Sequence, residues 1–280
     1  MTQKLNINEL FTQDAYNIPL YLPFSKQTVQ MREMVTADQK YFLKHVAQLE
    51  DKDFVQRKIG VLFNDLIEKL VKDVDFKKMT LQDKFYMLLY LRGRMKGEKT
   101  QLGTKCPVCQ KDITFGYDLS RFQDKIKHMA DDIKLPMDIA VGDMVFTIDS
   151  VTISDEIEND QLLSKPELLK SYDMTESHLA NMLRVACAIK KIVTQKGEID
   201  MTEYKMNDRM AVFMRTPVTV VSEISTVINT MMSKITDMLS DKFTVPCLQQ
   251  GCDGKQEVVV QIGDEGFFIS RSSDSPPKGT

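Results

Sequence analysis

The 280 residues carry 37 Lys and Arg against 40 Asp and Glu, for a formal net charge of −3. Dispersed, balanced charge offers no basic footprint for nucleic acid, and no apolar run of about 18 residues points to a membrane span. No leader pattern points to an oxidising compartment either, while 42% apolar residues suffice for a core, as one elaborated domain or two small ones.

The chain opens as an extended N-terminal arm, residues 1–35. Leu20-Tyr21-Leu22-Pro23 is apolar and stops at a proline, and Thr28-Val29-Gln30-Met31-Arg32 alternates as a strand does. A helical bundle is expected over residues 36–97. Thr36-Ala37-Asp38-Gln39 is a capping pattern ahead of Tyr41, Phe42 and Val46. Ile59, Leu62, Phe63, Leu66, Ile67 and Leu70 recur at helical spacing as one apolar stripe. Thr80-Leu81-Gln82-Asp83 then caps a third helix, apolar on every side from Phe85 to Leu91, which runs to Gly97.

Next comes the first of two cysteine clusters. Cys106-Pro107-Val108-Cys109 leads into the β-like run Asp112–Leu119, and Cys247-Leu248-Gln249-Gln250-Gly251-Cys252 leads into Gln256–Ile262. Each cluster is a short knuckle followed by a strand. Two knuckles brought together present four thiolates, the donor set that structural Zn²⁺ takes in tetrahedral geometry. With Cys106, Cys109, Cys247 and Cys252 all ligating, no coordination position stays open, so the metal is structural. A redox Cys-x-x-Cys would be expected to open a helix beside a βαβ unit, and none is visible. The expected ribbon is therefore built from distant halves, residues 98–120 and 241–268.

Residues 121–240 form the insertion between the halves. It reads as a helix over 121–134, a hairpin of Ile139–Val141 and Met144–Ile148 around Gly142-Asp143, and an acidic segment from Ser154 to Asp160 taken as a solvated helix start. Helices follow around 161–171, 176–194 and 206–215. A long one starts with Thr216 as N-cap and Pro217 at the first turn. Cys187 sits in an apolar helical run and reads as a core thiol. The tail, 269–280, is polar and expected to be flexible. The fold class expected from these elements is mainly α with small β: a helical bundle, a zinc ribbon and a large helical insertion.

The order of these features resembles a family. Leu22-Pro23, the strand ending at Arg32, the helix opening at Thr36-Ala37-Asp38 and the Leu62–Leu70 helix come first. Asp83, Leu88, Leu89, Leu91 and Arg92 follow, then the first knuckle with Phe115, Asp118 and Leu119. Phe243-Thr244-Val245-Pro246-Cys247 to Cys252 and Gly266-Phe267-Phe268 close the series. This order is similar to the baseplate hub and hub-assembly proteins of contractile-tailed, T-even-type phages. The resemblance covers about residues 20–268. It implies a place in the tail baseplate of the virion after synthesis in the host cytoplasm, hetero-oligomeric contacts with other hub, baseplate and tail-tube proteins, and no membrane segment. Proteins of this kind include virion components and factors that act only in assembly, so a built-in subunit and a hub-assembly chaperone absent from the mature particle both stay open. For the first, Leu5 to Leu22 and the tail are expected to order only in the assembly. For the second, the Met-rich stretch 206–239 is the expected groove.

Neither reading is enzymatic. His45, His128 and His178 stand on charged or amphipathic helices without a nucleophile at fixed spacing, and no glycine-rich phosphate loop is present. The acidic run Asp155–Asp160 lacks the glycine and spaced oxygens of an EF-hand. A nucleic-acid-binding ribbon is disfavoured because Lys105, Lys111 and Lys255 are offset by Asp112, Asp118, Asp253 and Glu257.

Overall fold

A computed structural model describes residues 16–47, 52–165, 167, 172–238 and 240–261. In chain order, the elements begin with strands β1 (Ile18–Leu22) and β2 (Gln27–Met31), helices α1 (Thr36–Ala47) and α2 (Lys52–Leu70), strand β3 (Val71–Lys72) and helix α3 (Leu81–Lys96). Then come β4 (Lys99–Lys105), β5 (Asp112–Asp118), α4 (Ser120–Asp132), β6 (Met137–Val141), β7 (Met144–Ile148), α5 (Ile153–Leu163) and α6 (Glu176–Ala188). Last are β8 (Ile189–Thr194), β9 (Gly197–Asp200), α7 (Met206–Arg215), α8 (Val218–Met238), β10 (Ser240–Pro246) and β11 (Lys255–Gln261).

About half of the described residues are helical and the described strands form four antiparallel sheets, so the architecture is mixed α/β. The expectation of a mainly α protein is thereby corrected. Three segments account for much of the difference. Ile189–Thr194 continues the apolar spacing of the preceding helix, and sequence periodicity extends that helix to residue 194. Its β-branched residues instead pair with β7 on one side and β9 on the other, in a four-stranded sheet of order β6-β7-β8-β9. Lys99–Lys105, with a single large apolar residue, shows no strand period of its own, yet pairs along its whole length with β5. Val71–Lys72 is too short to show a period. In each case the partner strand supplies the hydrogen bonds that fix the conformation, which local sequence does not encode.

The molecule divides into two compact units, Met1–Leu88 with Ala130–Met231, and Leu89–Met129 with Met232–Thr280. In the first unit, β1, β2 and β3 form one antiparallel sheet whose alternate residues Leu20, Leu22, Val29 and Met31 are buried. The turn between β1 and β2 is held by Asp83, fully buried at the start of α3, which accepts from Phe24 N–H at 3.0 Å and Ser25 N–H at 2.8 Å. Ile18–Leu22 is therefore already paired within the chain, against the expectation that this stretch orders only in an assembly. Residues 1–15, the rest of that expectation, the tail and part of the 161–171 helix lie outside the described residues.

The acidic segment is the second correction. Helix α5 does begin there, with Thr152 as N-cap and Asp155 completing a capping box. Asp155 is not solvated, however. It is buried, accepting from Arg209 Nη1 at 3.1 Å and Lys190 Nζ at 2.8 Å. Nearby, the buried Lys84 ammonium meets Glu156 at 2.6 Å. Thr216 does not cap α8: its hydroxyl donates back to Val212 O at 2.9 Å and ends α7. The hairpin at Gly142-Asp143 forms as expected, with Val141 paired to Met144 and Gly142 at φ 62°.

Candidate metal centre

The second unit carries the cysteines, and its two hairpins explain how. The last β4–β5 pair is Lys105 with Asp112, and the last β10–β11 pair is Pro246 with Lys255. Cys106 and Cys247 therefore hold equivalent places, each one residue past the end of its ladder. Cys106 N–H donates to Lys111 O at 2.9 Å and Cys247 N–H to Gly254 O at 2.8 Å, so each knuckle is the tip of a hairpin. The first tip turns through Gln110 at φ 59°, the second through Gly251 at φ 78°. The wider spacing of the second knuckle is taken up inside its loop, where Cys252 N–H donates to Gln249 O at 3.0 Å.

All four sulfurs converge, lying within 4.8 Å of one another. Cys106 Sγ is 3.7 Å from Cys252 Sγ, and Cys109 Sγ is 3.7 Å from Cys247 Sγ. A disulfide needs a separation of about 2 Å. A tetrahedron with metal–sulfur bonds of about 2.3 Å has edges of about 3.8 Å. The sulfurs thus stand at metal-ligand spacing, and the all-thiol donor set suits a soft or borderline cation such as Zn²⁺. Cys106, Ile113, Val245 and Cys247 form a buried cluster, with Cys109, Cys252, Phe115, Phe243 and Val258 packed on it. Gly254 is part of the fit. A Cβ there would stand 2.5 Å from Cys106 Sγ, so only glycine lets β11 begin across that sulfur.

Electrostatics follow from the crowding. Backbone N–H groups of Cys109 and Val108, with hydrogen bonds from neighbouring thiols, bring Cys106 down to about 7 against burial. Cys252 also faces a backbone donor, at Gly254, yet burial and three neighbouring sulfurs push it up to about 12. Cys247 moves up as well, because burial, Cys109 and Cys106 outweigh the N–H of Gln249. Cys106 ionises readily while Cys247 and Cys252 resist. A cation at the centre removes that conflict, since metal binding holds all four as thiolates.

A second tie joins the same two sequence-distant halves. Asp241 in β10 accepts from Tyr117 OH of β5 at 2.8 Å and from Lys125 Nζ of α4 at 2.7 Å, with Arg121 Nη1 at 3.3 Å. Burial and the neighbouring carboxylate push the Tyr117 hydroxyl's pKa upward. Phe243 stacks on Tyr117 and meets Phe115 edge-on, with ring centres at 5.6 and 5.4 Å. Sequence reasoning missed this network. Its one legible signal was a charged residue, Asp241, in step with and two places before the apolar alternation of Phe243 and Val245.

The remaining candidates fall elsewhere. His128 and His178 are exposed, and His45 packs on Tyr41 with Nδ1 2.8 Å from Tyr41 O. Cys187 is fully buried beside Asn159, and desolvation pushes its thiol up to about 12. Among the described residues, no helix is long and apolar enough to cross a membrane.

Fold and site together define a mixed α/β protein whose distant hairpins meet at a four-cysteine cluster. A family model described as T4 bacteriophage base plate protein matches residues 15–268, and the chain belongs to that family. It is a baseplate protein of the phage tail, with other baseplate proteins as its partners. No curated protein and no solved structure matches the chain.

Proposed function

We propose that the chain is a non-catalytic scaffold in the hub region of the baseplate, stabilised by Zn²⁺ on Cys106, Cys109, Cys247 and Cys252. Convergence of four thiols from residues as far as 146 positions apart carries this reading. An all-thiolate set leaves no position for substrate or water, which favours a structural ion over a catalytic one. Closing a loop of this length costs about 4–5 kcal/mol of chain entropy. Structural zinc supplies about 10 kcal/mol or more, so the clamp comfortably outweighs closure.

Two measurements test the proposal. Elemental analysis of the purified chain should find one zinc per molecule, and Cys106→Ser should lose it and melt at lower temperature. A full complement of zinc with an unchanged melting curve in Cys106→Ser would remove the clamp. Quantitative mass spectrometry of purified particles should find the chain at a fixed ratio to other tail proteins. Abundance in infected cells with absence from particles would instead make it a hub-assembly chaperone.

A further inference from the structure

The four sulfurs are arranged for a second chemistry besides metal binding. Both 3.7 Å sulfur contacts run between the halves, Cys106 to Cys252 and Cys109 to Cys247. In each contact one thiol is enclosed and the other is partly open: Cys106 and Cys247 are buried, Cys109 and Cys252 half-buried. An oxidant reaches the open member of each pair first, and the enclosed member of the opposite half lies next to it.

We propose that this cluster is a site of reversible thiol oxidation, in which two disulfides between the halves, Cys109–Cys247 and Cys106–Cys252, replace the metal. With hydrogen peroxide as oxidant, the Cys109 thiol takes one oxygen atom to become a sulfenic acid, and one water leaves. The Cys247 thiol then attacks that sulfur, the S–O bond breaks, an S–S bond forms, and a second water leaves with the Cys247 proton. Cys252 and Cys106 react in the same way. Each pair gives up two electrons and each peroxide accepts two. A bound Zn²⁺ departs without a change of oxidation state, and the thiolates that held it take up the needed protons from solvent.

The geometry confines the reaction. Closing from 3.7 Å to a bond of about 2 Å needs a sulfur movement of roughly 1–2 Å, within the reach of side-chain rotation. Cys187 is sealed in the core of the other unit and takes no part. In a reducing compartment the sulfurs hold a cation, and in an oxidising one they hold each other. Either way residues 109 and 247 stay joined, so the clamp survives loss of its metal.

The disulfide chemistry rests on the sulfur positions, and only the release of zinc rests on the metal reading above. The test uses the full chain, as purified and after chelator treatment, with two equivalents of hydrogen peroxide. Non-reducing digestion and mass spectrometry should recover Cys106–Cys252 and Cys109–Cys247 from both samples, reversed by dithiothreitol, with Cys187 still free. The as-purified sample should also release one zinc per chain to a colorimetric chelator. Links within a knuckle, Cys106–Cys109 or Cys247–Cys252, would overturn the proposal, as would sulfinic or sulfonic acids without disulfides. Zinc content before oxidation is read separately. A metal-free preparation that still forms the two cross-links would defeat the zinc reading and leave this one standing.

Discussion

Gly254→Ala isolates the steric demand of the metal centre. The added methyl would stand 2.5 Å from Cys106 Sγ and 3.1 and 3.2 Å from two atoms of Val108. Carbon atoms in contact settle at about 3.5–4 Å, so relief requires a displacement of about 1 Å. Without metal, the Cys106 sulfur can rotate away at modest cost. With metal it is held to within about 0.2 Å of the bond length, and the strain falls on the bound state. Overpacking of this kind costs about 1–3 kcal/mol, which weakens metal binding by roughly 5- to 150-fold. Competition against a chromogenic zinc chelator measures the ratio directly. Gly103→Ala is the control in the same hairpin pair, because its methyl would meet only Ile113 O, at 4.0 Å. Affinity of Gly254→Ala within twofold of the parent would refute the reasoning, since the sulfur could not then be fixed where the structure puts it.

Three further expectations concern the ion networks and the core thiol. Burial raises Asp241, but Lys125, Tyr117 and Arg121 outweigh it and hold the carboxyl below its ordinary value. A depressed carboxylate contributes stability above its unfolded pKa, and the contribution is lost as pH falls through the folded value. Asp241→Asn should therefore cost about 1–3 kcal/mol near neutral pH, and urea titrations should show the gap closing in acid; a gap independent of pH would disprove the assignment. Asp155→Ala strands the buried Arg209 and the largely buried Lys190 without their shared carboxylate, so it should destabilise the chain by about 3–5 kcal/mol; a loss below about 1 kcal/mol in the same titration would show that the cluster is not a buried ion network. After chelation, iodoacetamide should modify the half-buried Cys109, while Cys187, fully buried and with its thiol pushed up to about 12, reacts only on unfolding. Peptide mapping reads each site, and fast labelling of Cys187 would contradict its burial.

Much of the site was legible because cysteine spacing is a local signal with little other use. Cys106 with Cys109, and Cys247 with Cys252, each sit on one tight loop whose geometry two to four intervening residues dictate, and the strands after them show their alternation in Ile113 and Phe115 or Val258 and Val260. Helices α2 and α3 were likewise legible, α2 from its apolar stripe and α3 from its Thr80 cap and apolar run. Their hydrogen bonds close within the segment itself, so the local pattern is enough.

What the sequence could not settle has a common physical cause. Strands β4 and β8 have no internal hydrogen bonds, and their identity comes from partners elsewhere along the chain. Asp155 looked like one solvated acid among several until Lys190 and Arg209, 35 and 54 positions away, were folded against it. Asp241, Tyr117 and Lys125 carried no motif at all. Gly254 looked like an ordinary loop glycine, and only the Cys106 sulfur brought across it explains why no side chain fits. The sequence by itself determined which thiols belong together and which family the chain resembles, because both are written in order and spacing. The tertiary structure alone decided which strands pair, which charges are buried and how closely the four sulfurs meet, because each depends on contacts between residues far apart in the chain.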